Sequence, residues 1–430
     1  MKAFCKSIVV AILIQEAKWL LQRHKPTIVA ITGSVGKTTT KDAIYAAIKN
    51  SVSARKSEKS FNSEIGVPIT VLGLTNGWNN PFLWVKNIFD GFFLALFSKT
   101  YPAVLILEAG IDRPGDMDRL TAWLTPDIVV LTRLPSVPVH VEYFETPEAV
   151  VTEKMKLVSA LKPEGTLVYN HDDTIIQSQL PDVLQRCIGF SRYVPSDFTA
   201  AKDTIMYVDN VPVGVIFTVS HGTETFSAEV DGTVGTSQVY ACTAAVAVAT
   251  LLGVSIDEAV VSLHDLRTPN GRLRLLSGLK GSIILDDTYN SSPIACEQGL
   301  QTLAEIRHSK RKIAVLGDML ELGRYSSDEH EKIGVLAAKC CDVLLTVGVR
   351  ARKIAEGALN NGMPEECILQ YDDAAKAGIE LQNLLEPGDV ILVKASQGIR
   401  AERIVEEIMA EPERAAELLV RQDEAWAKRK

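Results

Sequence analysis

Apolar positions along the chain follow two rhythms that alternate. Compact runs such as Ile28-Val29-Ala30-Ile31, Ala103-Val104-Leu105-Ile106-Leu107 and Ile128-Val129-Val130-Leu131 are hydrophobic without interruption, and longer stretches between them place apolar residues three and four apart. Unbroken runs of this length predict strands covered on both faces, and the longer period predicts the helices that cover them. Residues 205 to 235 read as β-rich with turn signals, and residues 239 to 252 as an alanine-rich helix ending at Gly253. Leu266-Arg267-Thr268-Pro269-Asn270-Gly271-Arg272 reads as a connection. Beyond it the alternation restarts, with strands at 283–286, 312–316, 342–347 and 389–393 and helices near 293–307, 328–341 and 350–361, then a final helix. The expectation is an N-terminal helix over residues 1–25, a first α/β domain over 26–268 and a second over 269–430.

Two apolar segments need separate treatment. In residues 82 to 97, Phe82, Val85, Phe89, Phe92, Phe93 and Leu96 recur at helical spacing with Lys86 and Asp90 elsewhere on the wheel, which predicts a helix whose stripe packs into the core. Residues 8 to 14 are apolar, but Gln15, Glu16 and Lys18 interrupt the run before it could span a bilayer. A packing helix ending at Pro26 is expected. The alternative is peripheral membrane contact through residues 1–25, with Trp19, Leu20 and Leu21 inserted.

Composition narrows the partners. A net charge of -8 in 430 residues leaves no broad basic excess for a phosphate backbone, so no nucleic acid is expected and small molecules are. The seven cysteines include no Cys-x-x-Cys pair, so neither a zinc site nor a disulfide framework is indicated, and a reducing cytoplasm fits.

The chemistry begins where the first strand runs into Thr32-Gly33-Ser34-Val35-Gly36-Lys37-Thr38-Thr39-Thr40. Gly33 and Gly36 let the backbone bend and bring N–H groups up to phosphate oxygens, and a helix starting near Lys37 adds its positive end. Lys37 can pair with the outer phosphates and the Thr38 hydroxyl can ligate magnesium. Ile31 stands where the strict Walker spacing has glycine, so the loop is a compact variant. Glu108, at the end of a buried strand, and His140 are candidate magnesium ligands brought toward the same sheet edge.

The loop, Asn62-Ser63-Glu64-Ile65-Gly66-Val67-Pro68, Leu107-Glu108-Ala109-Gly110, Asp286-Asp287-Thr288-Tyr289-Asn290-Ser291-Ser292-Pro293 and Leu316-Gly317-Asp318-Met319-Leu320-Glu321-Leu322-Gly323 together resemble the Mur ligase family, in the family's order over roughly residues 26 to 408. The resemblance implies a central P-loop ATPase domain with a mostly parallel sheet, followed by a C-terminal Rossmann-like α/β domain. It implies ATP and Mg2+ as cofactors and a monomeric, ATP-dependent amide-bond ligase that joins D-alanyl-D-alanine to a muramoyl-peptide precursor through an acyl phosphate. Carried over, Gly33, Ser34, Val35, Gly36, Lys37, Thr38 and Thr39 hold the ATP phosphates, with Arg272 on phosphate and Asp287 on ribose. Thr38, Glu108, His140 and Lys154 serve the metals, Lys154 as a carbamate, and Lys37, Glu108, His140 and Lys154 form the catalytic set. Asn62, Tyr289 and Asn290 fall to the substrate.

The chain departs from the family's pattern in several places. The family usually has an N-terminal UDP-gripping domain where a single helix is expected here. Ser237 and Ala241 replace a usual histidine and an adenine-contacting asparagine. Lys394-Ala395-Ser396-Gln397 replaces a Lys-Gly-Ser-Arg pattern. The alternatives are a related ligase with another acceptor, such as a folylpolyglutamate synthase, and a nucleotide-driven switch protein without ligase activity.

Overall fold

The computed structural model describes residues 2–58, 64–77, 80–307, 309–423 and 426. Its first nine strands are β1 (Thr27–Thr32), β2 (Ala54–Lys56), β3 (Val104–Glu108), β4 (Ile128–Leu131), β5 (Thr166–Asn170), β6 (Arg186–Ser191), β7 (Phe198–Val208), β8 (Val211–His221) and β9 (Glu224–Asp231). They form one sheet in the order β2-β3-β1-β4-β5-β6-β7-β8-β9, parallel as far as β7 and antiparallel from β7 to β9. The strand order turns back at β1, which has β3 on one side and β4 on the other. A crevice at the carboxyl ends of the strands opens at such a reversal.

Both faces of the parallel part are covered, which is why β1, β3, β4 and β5 carry apolar runs rather than alternation. Helix α2 (Lys37–Ile48) and the helix Thr236–Leu251 cover one face. The second of these is rich in alanine and is buried almost all round, since small side chains let it lie close to both α2 and the sheet. On the other face lie α1 (Lys2–His24), α3 (Gly66–Leu72) and the helix Pro147–Ser159.

Leu13, Ala17 and Leu20 of α1 are buried, so Leu20 belongs to the core while Trp19 is exposed. Helix α4 (Pro81–Phe97) packs on α1 through Asn87, Gly91 and Ala95. Glycine at position 91 is required by the approach: a Cβ there would fall 2.1 Å from Glu16 Oε2. The expected helix is present, but its aromatic stripe is not in the core. Phe82, Val85, Phe89, Phe92, Phe93 and Leu96 are all exposed. The reason is layering. Helices α1 and α3 already cover the sheet, so α4 adds an outer layer and turns its small residues inward.

The second sheet contains β10 (Arg274–Ser277), β11 (Ile283–Asp287), β12 (Lys312–Gly317), β13 (Val343–Val347), β14 (Ile368–Tyr371) and β15 (Val390–Lys394). Its order is β10-β11-β15-β12-β13-β14, parallel except for β10. Helices cover both faces, giving two apolar layers. The chain's last segment packs against the second sheet's domain: Leu418 and Leu419 are buried, and Arg421 pairs with Glu402 at 2.8 Å while donating to the Thr288 carbonyl at 3.1 Å. No helix among the described residues is long and apolar enough to cross a membrane.

Candidate active site

The loop between β1 and α2 is shaped by its glycines. Gly33 has φ +143° and Gly36 φ +86°, and a Cβ on Gly33 would lie 2.1 Å from Thr132 Oγ1. Ser34 N donates to the Arg133 carbonyl at 2.7 Å and Thr132 Oγ1 donates to the Val35 carbonyl at 2.6 Å, which ties the loop to the end of β4. Gly36 caps α2, so the helix's free N–H groups face the crevice.

Four predicted residues meet at this loop. Lys37 Nζ donates to the Gly33 carbonyl at 2.9 Å, and Lys154 Nζ, from the helix Pro147–Ser159, donates to the same oxygen at 3.2 Å. Thr38 Oγ1 donates to Glu108 Oε2 at 3.0 Å, because β3 neighbours β1 and its last residue ends level with the loop. Burial pulls the Lys37 ammonium below its usual range, against the pull of Glu108. Lys154 is held well below the usual lysine range, first by burial and then by the positive charge of Lys37.

The second sheet supplies the opposite wall. Its sequence-predicted members are Arg272, Asp287, Tyr289 and Asn290, and they line one cleft together with Ser34 to Thr39, Glu108, His140 and Lys154. Arg272 Nη2 lies 3.4 Å from Thr38 Oγ1, and its guanidinium stacks 4.0 Å from the Tyr289 ring centroid. His140, with φ +73°, reaches the cleft edge, where Nδ1 lies 2.7 Å from Glu321 Oε2 and Nε2 3.7 Å from Asp112 Oδ1. His140 and Arg113 hold the Glu321 carboxyl below the usual carboxylate range. Asn62 lies outside the described residues.

Sequence reasoning singled out neither Lys394 nor Asp112 as site residues. Lys394 Nζ pairs with Asp287 Oδ2 at 2.6 Å and donates to the Asn290 carbonyl at 3.0 Å, so it fixes the turn that carries Tyr289 and Asn290. The signal was its place at the end of a buried apolar strand, the position that made Glu108 a candidate. Ser237 lines the main cleft, while Ala241 lines a small recess beside the loop with Val35, Gly36 and Asn170.

A second cavity, of about 800 Å³, adjoins the first and shares Gly110, Asp112, His140, Asn290 and Gln397 with it. Lys6, Val10 and Ile14 of α1 form one wall, and Arg113, Arg119 and Trp123 line it as well.

A phosphate loop on one sheet thus faces a lysine–aspartate pair on another. Residues 31–82 and 91–249 match the Mur ligase middle domain, and residues 271–397 match the Mur ligase glutamate ligase domain. The chain belongs to the Mur ligase family. It is 27% identical over 401 residues to the UDP-N-acetylmuramoyl-tripeptide–D-alanyl-D-alanine ligase of Bacillus subtilis, covering 93% of this chain and 79% of that protein. To the ligase of the same name from Mycobacterium leprae it is 30% identical over 395 residues, with 87% and 71% covered. The crystal structure of the MurF ligase from Thermotoga maritima in complex with ADP superimposes with a TM-score of 0.75 at 26% identity, covering 94% of this chain and 84% of that one.

The donor set of this Mur ligase suits magnesium in a particular way. Among the described residues no group of three or more His, Cys, Asp or Glu side chains is placed to hold a metal by itself. Magnesium is commonly held by one or two protein oxygens together with substrate phosphates. The paired oxygens of Thr38 and Glu108 beside a phosphate loop fit that requirement.

Proposed function

We propose that this Mur ligase joins D-alanyl-D-alanine to the terminal carboxylate of a UDP-muramoyl-tripeptide, converting ATP to ADP and phosphate, as a cytoplasmic step in making peptidoglycan precursor. The observation that carries the reading is the single cleft to which both lobes contribute, with Arg272 of the second lobe reaching Thr38 of the first.

A carboxylate is a poor acyl donor until it is phosphorylated. The Gly33–Thr39 loop orients the triphosphate, and Lys37 neutralises charge that develops on the phosphoryl group in transit. Arg272, stacked on Tyr289, adds a second positive charge from the opposite wall. Thr38, Glu108 and a carbamate on Lys154 would hold magnesium, which lowers the charge on the phosphates when bound. The adjoining cavity would take the muramoyl peptide, with Arg113 in its lining to meet a carboxylate and Arg119, ion-paired with Asp116, beside it. His140 and Glu321 meet between the lobes and would hold them closed around the acyl phosphate, which excludes water until the amine attacks.

The test is mass spectrometry of products formed from ATP, magnesium, D-alanyl-D-alanine and a UDP-muramoyl-tripeptide. The expected product is the amide. Phosphate release with folate and glutamate in place of these substrates, or nucleotide hydrolysis with no amide, would overturn the proposal.

A further inference from the structure

Helix α4 is built inside out for a helix surrounded by water. Its inward face is small or polar, with Asn87, Gly91 and Ala95 buried against α1. Its outward face carries Phe82, Val85, Phe89, Phe93, Leu96 and Phe97, with Phe82 83% and Phe97 64% exposed. Counting 100° per residue from Phe89, positions 82, 85, 93 and 96 fall within about 40° of it, so these side chains form one continuous ridge. Exposed apolar rows of this kind mark an interaction surface. The middle-domain match breaks between residues 82 and 91, so about half of α4 lies outside the matched residues.

The occupant is indicated by charge. Residues 1–25 contain Lys2, Lys6, Lys18, Arg23 and Lys25 against Glu16, and residues 80–101 contain Lys86 and Lys99 against Asp90, a local excess of five positive charges in a chain of net charge -8. The Lys86 side chain, 66% exposed beside the ridge, pairs with Asp90 one turn on, and Arg23 of α1 reaches the other end of the helix, donating to the Ala95 carbonyl at 3.3 Å. An apolar ridge flanked by cations, on a helix too short to span, has the chemistry of an element lying in the interface of an anionic bilayer. Trp19 of α1, edge-to-face with Phe92 at 6.5 Å, continues the surface.

We propose that the outward face of α4, with Trp19, Lys18 and Arg23 of α1, docks this Mur ligase peripherally on an anionic lipid surface. Neither α4 nor Trp19 lines the ATP cleft or the adjoining cavity, so docking places the enzyme without altering its chemistry.

The test is flotation of the full-length protein with vesicles of phosphatidylcholine alone or mixed with phosphatidylglycerol, for the wild type and for the variant Phe82→Ser, Phe89→Ser, Phe93→Ser. These side chains support no core, so the variant should fold and keep its ATP turnover in solution. The wild type should float with the mixed vesicles and much less with phosphatidylcholine alone, and the variant should lose roughly tenfold or more of its partitioning. Failure of the wild type to float, or equal flotation of the variant, would overturn the proposal. So would light scattering that shows a dimer abolished by the variant in a protein that ignores vesicles, because the ridge would then serve a second copy. Ligase turnover is measured separately, so loss of either result leaves the other standing.

Discussion

Lys37 Nζ and Lys154 Nζ donate to one oxygen, the Gly33 carbonyl, at 2.9 and 3.2 Å. Two ammonium groups sharing one acceptor out of water repel each other, and the repulsion is relieved when the more buried of them is neutral. Lys154, 2% exposed, is that one. A neutral amine can add to carbon dioxide with loss of one proton, which would turn Lys154 from an uncharged amine into an anionic carbamate and make its interaction with Lys37 attractive. Lys154→Ala should therefore lower turnover by about tenfold or more, and added short carboxylates should restore part of it. The check is ADP production with and without acetate or formate; an undiminished rate in the unsupplemented variant would make Lys154 a structural lysine.

Lys37 has a different task, which carboxylates cannot replace. Lys37→Ala should reduce turnover by on the order of a hundredfold or more, since the phosphoryl group in transit loses a fixed cation of the loop that holds it. Single-turnover ADP formation at saturating ATP reads this step directly. A rate within twofold or so of wild type would remove Lys37 from phosphoryl transfer.

Gly33 tests the shape of the loop rather than its charge. A methyl group there would strike Thr132 Oγ1 at 2.1 Å, and the backbone at φ +143° disfavours any side chain. Gly33→Ala should lift the loop off β4 and weaken nucleotide binding, while the second lobe keeps its fold. Calorimetric titration with ADP is the measurement, and unchanged affinity would mean that the loop adapts without loss.

Much of this arrangement is legible in the residues themselves. Strands such as β1 and β3 are unbroken apolar runs, so their positions, and that of Glu108 at a strand end, follow from periodicity. The edge strand β14 does not, because Ile368, Leu369 and Tyr371 are only partly buried and leave a weak pattern. The stripe on α4 is legible as a helix but not as a surface, since spacing reports which residues share a face and not what that face meets. The pairing of Lys394 with Asp287 depends on β11 and β15 being neighbours, although more than a hundred residues separate them in the chain. Register across a sheet is a tertiary fact, and no local pattern carries it.

The Lys394–Asp287 pair has a measurable consequence. Both residues are buried at the register position where β11 meets β15, 2.6 Å apart. Removing one partner leaves a buried charge uncompensated, so Lys394→Ala should cost about 3–5 kcal/mol of stability. The double variant Lys394→Ala, Asp287→Ala should cost less than the sum of the single changes, with a coupling of about 1–3 kcal/mol. Denaturant titration of the four proteins gives the cycle, and strict additivity would show that the two groups do not interact energetically.

Glu16 makes the opposite prediction, a substitution that stabilises. Its carboxyl is buried beneath Gly91 of α4, its Oε2 has no hydrogen-bond partner, and burial raises it from 4.5 to about 7. The folded protein thus holds this proton more tightly than the unfolded chain does. Ionisation of Glu16 costs stability in full above about pH 7, and the cost fades as pH falls toward about 4.5, where both states are protonated. Glu16→Gln keeps the shape without the charge and should raise stability near pH 8 by on the order of 1–2 kcal/mol, allowing for partial screening by solvent. Near pH 5 the gain should be much smaller. Thermal unfolding of both proteins across this range is the measurement, and a shift of the same size at every pH would mean that the effect comes from packing at the α1–α4 contact rather than from the charge.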